Sequence, residues 1–60
     1  MSGNTNQIYS VQGIGFSTTE SLRAIARAKE EALKSKEAKL ILLNGMPVYK
    51  VDRKGVLASA

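Results

Sequence analysis

An Asn-Gly pair set inside the densest apolar run of the chain constrains its fold more than any other feature. The run is Leu40-Ile41-Leu42-Leu43-Asn44-Gly45-Met46-Pro47-Val48-Tyr49-Lys50-Val51. Asn-Gly readily takes positive φ at both central residues of a type I′ turn, whose twist matches two antiparallel strands. The segment therefore predicts a β-hairpin. Leu40–Leu43, unbroken, also fits the last turn of a longer helix; the Asn-Gly and the strand-like residues after it decide for a strand. Pro47 removes an amide from the ladder, so the returning strand has that side at an edge or pairs only from Val48 onward.

Upstream, Met1 to Asn6 is polar and reads as a flexible N-terminus, leaving residues 7–60 as a single small domain. From Gln7 to Ile14 the mixture of β-branched, aromatic and polar residues predicts a strand, with Ile8, Ser10, Gln12 and Ile14 on one face and Tyr9, Val11 and Gly13 on the other. Ser17-Thr18-Thr19-Glu20 has the form of a capping box, so a helix is expected to begin there. Within it Leu22, Ile25, Ala26, Lys29, Ala32, Leu33 and Lys36 fall on one side at helical spacing and should lie on the sheet, with the Lys29 stem snorkelling out. Arg23, Arg27, Glu30, Glu31 and Lys34 should point away, with Arg27–Glu31 and Glu30–Lys34 as i,i+4 pairs. The helix should end near Lys36. Asp52-Arg53-Lys54-Gly55 predicts a second turn, and Val56-Leu57-Ala58 a short last strand. The expected fold is α+β: a β-α-β-β order, with one amphipathic helix packed on a small antiparallel sheet.

Sixty residues bury only about 60% of the surface their unfolded chain exposes, so stability is marginal. Without Cys or His, disulfides and the commonest transition-metal ligands are missing, which leaves self-association as the available reinforcement. An oligomer is therefore expected. No apolar run approaches the roughly 18 residues of a membrane span, and the N-terminus lacks the pattern of a signal peptide, so a cytoplasmic protein with no membrane partner is expected.

For catalysis the inventory is poor. Glu20, Glu30, Glu31, Glu37 and Asp52 show no paired-acid spacing, and the serines have no accompanying base, so no enzyme activity is expected. Gly13-Ile14-Gly15, between a predicted strand and helix, could cradle a phosphate. The full dinucleotide fingerprint and a Walker lysine are both missing, and two glycines bending the chain explain the motif more simply. No cofactor is expected.

The net charge of +4 makes an acidic partner, nucleic acid above all, the first expectation, with plain solubility charge as the alternative. Its candidates fall in two groups: Arg23, Arg27 and Lys34 on the helix, and Lys50, Arg53 and Lys54 around the second turn. If the outer helix face and that turn share one side, they form a stripe able to track phosphates. Tyr9, Phe16 and Tyr49 are too scattered for base stacking, which favours duplex DNA over single strands.

The order of elements resembles that of the Phd-type antitoxins. Ser17-Thr18-Thr19-Glu20 followed by Leu40-Ile41-Leu42-Leu43-Asn44-Gly45-Met46-Pro47-Val48 is similar to their helix start and their strand pair joined by Asn-Gly-x-Pro-Val, over residues 16–51. The resemblance implies a homodimer that contacts operator DNA with basic residues near its N-terminal end. The chain departs from the family in the strand-like segment before the helix, and no counterpart of the toxin-neutralising segment falls within the match. A shorter stretch, Gly45-Met46-Pro47-Val48-Tyr49-Lys50-Val51-Asp52-Arg53-Lys54, is similar to the basic wing of excisionase-type winged-helix proteins. There Lys50, Arg53 and Lys54 would meet phosphates, and Lys36–Leu43 would be a recognition helix.

The leading expectation is thus a small non-enzymatic DNA-binding regulator from a mobile element, acting as a homo-oligomer. Two alternatives stand beside it. One is a protein-interaction module, such as a phage- or plasmid-encoded inhibitor of a host protein, using the exposed hairpin edge for strand addition. The other is a small-molecule binder similar to the dodecins, whose flavin-stacking Trp is missing here.

Overall fold

In the computed structural model, which describes residues 7–60, five strands and one helix follow the order β1 (Tyr9–Val11), β2 (Phe16–Thr18), α1 (Ser21–Ser35), β3 (Lys39–Leu43), β4 (Met46–Val51) and β5 (Leu57–Ser59). The expected flexible segment 1–6 lies outside the described residues. Asn44 and Gly45 have φ of 51° and 88°, the double positive φ of a type I′ turn, and join β3 to β4 as a two-residue hairpin. Asn44 also ties that hairpin to β1: the Ile8 amide donates to Asn44 Oδ1 at 3.0 Å, and the Asn44 amide donates to the Ile8 carbonyl at 2.9 Å.

The sheet is antiparallel throughout, in the order β2-β1-β3-β4-β5, so β3 is its centre. Pro47 stands opposite Leu42, one position in from the turn, where the amide of a two-residue hairpin points away from its partner strand. On that side β5 reaches only as far as the Tyr49–Ser59 pair, so no ladder bond is lost. The register then shifts: Leu42 faces Pro47 and Ile41 faces Tyr49, leaving Val48 as a bulge between them.

One strand falls where a helix start was expected. Phe16–Thr18 pairs with Tyr9–Val11, and α1 begins only at Ser21. The capping box does not form: the N-cap is Glu20, without a side-chain cap bond, and Thr18 Oγ1 instead accepts from the Glu20 amide at 3.2 Å. A hydroxyl-rich segment suits either fate, and the turn at Gly13 and Gly15, with φ of 90° and 66°, brings this one back against β1. The expected strand from Gln7 to Ile14 is correspondingly cut to three residues. The glycine pair is the loop of this hairpin, separated from the helix N-terminus by β2.

The helix is turned from the expected orientation. Its buried line is Ala24, Ala28 and Ala32, each 0% exposed, while Leu22 and Leu33, expected on the sheet, are 77% and 55% exposed. Lys29 and Ala26 are exposed as well. Alanines at i, i+4 and i+8 let the helix backbone approach the sheet closely, where leucines would hold it off. Against that line pack Val11, Ile41 and Val51, with Tyr9, Ile14, Phe16, Ile25, Val48, Tyr49 and Leu57 around them. The helix closes at Lys36, in the left-handed region at φ 60°.

Strand alternation and register put Ser10, Ser17, Leu40, Leu42, Pro47, Lys50 and Ala58 on the sheet face opposite the helix.

Candidate nucleic-acid interface

The expected basic stripe divides among three surfaces. Arg23, Arg27 and Lys34 share one flank of α1, being four and seven residues apart. That flank leans over β2: the Arg27 guanidinium lies 5.1 Å from the centroid of the Phe16 ring, and its Nε donates to Glu31 Oε2 at 3.2 Å. Arg27 was expected to point away from the body; instead it is half-buried, because the late helix start leaves Phe16 beneath it in the sheet. A cation over an aromatic face contributes about 0.5–1 kcal/mol at such a site, so Arg27 helps hold the edge strand down. Arg23 donates to Glu20 Oε1 at 3.0 Å with both side chains largely in solvent, a pair worth about 0–1 kcal/mol. Lys34 has no ion-pair partner among the described residues; the expected bond to Glu30 is not made.

Arg53 and Lys54 lie on the other flank. The turn that carries them packs on the helix at Leu33, whose side chain would stand 3.3 Å from a Cβ placed on Gly55. Gly55 has φ of 85°, which a side chain there would strain further. Asp52 organises this turn. Its Oδ1 accepts from the Lys54 amide at 2.8 Å and the Val56 amide at 3.0 Å, and its backbone carbonyl accepts from the Gly55 amide at 2.9 Å. The Val56 hydrogen bond above all, then that of Lys54 and the Lys54 charge, hold the Asp52 carboxyl below the ordinary carboxylate range although partial desolvation opposes them. With those amides taken inward, the turn offers solvent two exposed cations, Arg53 and Lys54. Lys29, one turn before Leu33 on the same side of α1, adds a third; its i−4 spacing from Leu33 was readable, but only the turn's position gives it meaning.

Lys50 stands apart. It pairs with Leu40 and Ala58 on the sheet face away from the helix, and so joins neither group.

The aromatic residues offer no stacking platform. Tyr9, Phe16 and Tyr49 are all partly buried against the core. The hairpin edge is covered in part: β1 pairs with β3, and β5 pairs with Tyr49–Val51 of β4, leaving Met46 and Pro47 outside that ladder. The outer strands of the sheet are the three-residue β2 and β5. Among the described residues, no group of three or more His, Cys, Asp or Glu is placed to hold a metal ion. No helix among them is long and apolar enough to cross a membrane.

No family model, curated protein or solved structure matches this chain.

Proposed function

We propose that the chain is a small, cytoplasmic, non-enzymatic regulator that binds duplex DNA as a homo-oligomer, touching phosphates first through Arg53 and Lys54. What carries this reading is the turn itself. Its carboxylate is bonded inward, its two cations are exposed, and it is braced on Leu33 beside Lys29, so the charges are held out on a short, fixed loop. Such a loop suits phosphate contact, which positions a protein on DNA without reading its sequence. The net charge of +4 supports the same partner. Duplex is favoured over single strands because the three aromatic rings are committed to the core. Arg23 and Lys34, on the far flank, would contribute only if the duplex or a second copy reaches around the helix, and Arg27 is held on Phe16.

Fluorescence anisotropy on a mixed-sequence duplex tests this. Affinity should fall linearly with salt on logarithmic axes, by roughly 0.9 per phosphate contacted. Reversing both charges with R53E and K54E should weaken binding about ten-fold or more and lower the magnitude of the slope by about 2. Reversing Arg27 should cost less binding, since its charge is already engaged. Absence of binding at about 50 mM salt, or an unchanged affinity and slope in the double variant, would remove the proposal.

A further inference from the structure

Burial of the alanine line leaves a second helical stripe outside. Leu22, Ala26, Lys29 and Leu33 are spaced 4, 3 and 4 residues apart, the spacing of core positions in a two-helix seam, and all four are exposed. At 3.6 residues per turn the stripe lies about 130° around the helix from Ala28, clear of the sheet. Five large apolar side chains stand exposed among the described residues, and two of them belong here: Leu22 at 77% and Leu33 at 55%. A stripe with core spacing and two exposed leucines at its ends is a docking face.

We infer that this stripe is covered by the same stripe of a second copy of the chain, running antiparallel across a two-fold axis. The charges select both the partner and the direction. With Leu22 opposite Leu33 of the second copy, Lys29 comes opposite Ala26, whose small side chain leaves room for the lysine stem to reach solvent. A parallel pair would instead set Lys29 against Lys29 inside the seam. On the solvent side the stripe is bordered by Arg23 and Glu30. The antiparallel two-fold brings Arg23 to Glu30 of the second copy, and Glu30 to its Arg23, giving two equivalent ion pairs across one contact. Glu30 has no ion-pair partner within its own chain among the described residues, and Arg23 has only the exposed Glu20. The stripe is thus complementary to itself in shape, polarity and charge. A domain of this size, whose fully buried core is Val11, Ile41, Val51 and three alanines, gains the added burial whenever its own copies meet. The seam spans about 16 Å, at the small end of specific interfaces, so the dimer should dissociate in the micromolar range. Because each Gly55 turn braces Leu33, the two basic turns are carried to opposite ends of the seam.

The inference deepens the proposed function by naming the surface and partner of its oligomer. Its test contains no DNA, so a DNA-binding monomer sinks this inference and the homo-oligomer while leaving the DNA contact standing, and a dimer that ignores DNA sinks only the DNA reading. Sedimentation equilibrium should show a reversible monomer–dimer mixture. Leu22→Glu, at a solvent-exposed site in the first helical turn where an acid suits the helix dipole, should raise the dissociation constant about a hundred-fold and leave the circular dichroism of dilute protein unchanged. Glu30→Arg should weaken the dimer, and adding Arg23→Glu to it should restore it. Ala58→Glu, on the open sheet face, should leave it intact. A wild-type chain that stays monomeric up to millimolar concentration would overturn the inference. So would a dimer untouched by Leu22→Glu, no recovery in the charge-swapped double variant, or a dimer abolished by Ala58→Glu alone.

Discussion

Ile41→Ala should remove about half of the domain's stability at 25 °C. Ile41 is 0% exposed, sits on the central strand, and is the largest of the fully buried side chains. Removing such a side chain costs about 2–5 kcal/mol, the lost transfer energy plus the cavity that incomplete collapse leaves behind. At about 0.05–0.15 kcal/mol per residue, a domain of this size has in all only about 3–9 kcal/mol. No disulfide is available to offset the loss. A urea titration followed by circular dichroism should show the stability of dilute protein roughly halved. Leu22→Ala, at an exposed apolar site, should move it by no more than about 0.5 kcal/mol under the same conditions. Equal effects at the two positions would mean that the core is not where these residues place it.

The second large effect is expected from a substitution that enlarges a side chain. Ala28 is the middle of the alanine line and is 0% exposed. Ala28→Leu inserts three carbons between helix and sheet, which forces α1 outward and loosens Ala24 and Ala32 with it. Overpacking of this kind costs about 1–3 kcal/mol, and the upper end applies because a rigid helix cannot yield at one residue alone. Ala26→Leu, two residues away on the exposed side, should be neutral within about 0.5 kcal/mol. Thermal melting of the two variants at low concentration separates them. If Ala26→Leu were the damaging one, the helix would lie on its leucine face after all.

That contrast marks where the sequence stops being sufficient. The hairpin at Asn44-Gly45 and the turn at Asp52–Gly55 were legible because their determinants lie within four residues: positive-φ positions, and an aspartate able to accept from amides just ahead of it. The helix was legible too, though not its orientation. Periodicity weighs Leu22 and Leu33 above alanine, whereas the sheet accepts whichever side comes closest, and that side carries Ala24, Ala28 and Ala32. Strand β2 was hidden because Ser17-Thr18-Thr19-Glu20 satisfies a helix start by its own chemistry; hairpin pairing with Tyr9–Val11 decides otherwise. The basic residues followed the same rule. Neighbours in sequence, Arg53 and Lys54, stayed together, while Lys50 went to the opposite sheet face by strand alternation. Arg27 was drawn onto Phe16, a ring that only the unforeseen strand places beneath it.

Both the stability effects and the proposed dimer depend on α1 resting on its alanines with its leucines outside. Thiol accessibility reads this directly, because the chain contains no cysteine of its own. In dilute protein under native conditions, the thiol introduced by Leu22→Cys should react with a maleimide at nearly the rate of an unfolded peptide. That introduced by Ala28→Cys should react more slowly by about a hundred-fold or more, since it becomes accessible only when the domain opens. Equal rates, or a protected position 22 beside a reactive position 28, would contradict the account.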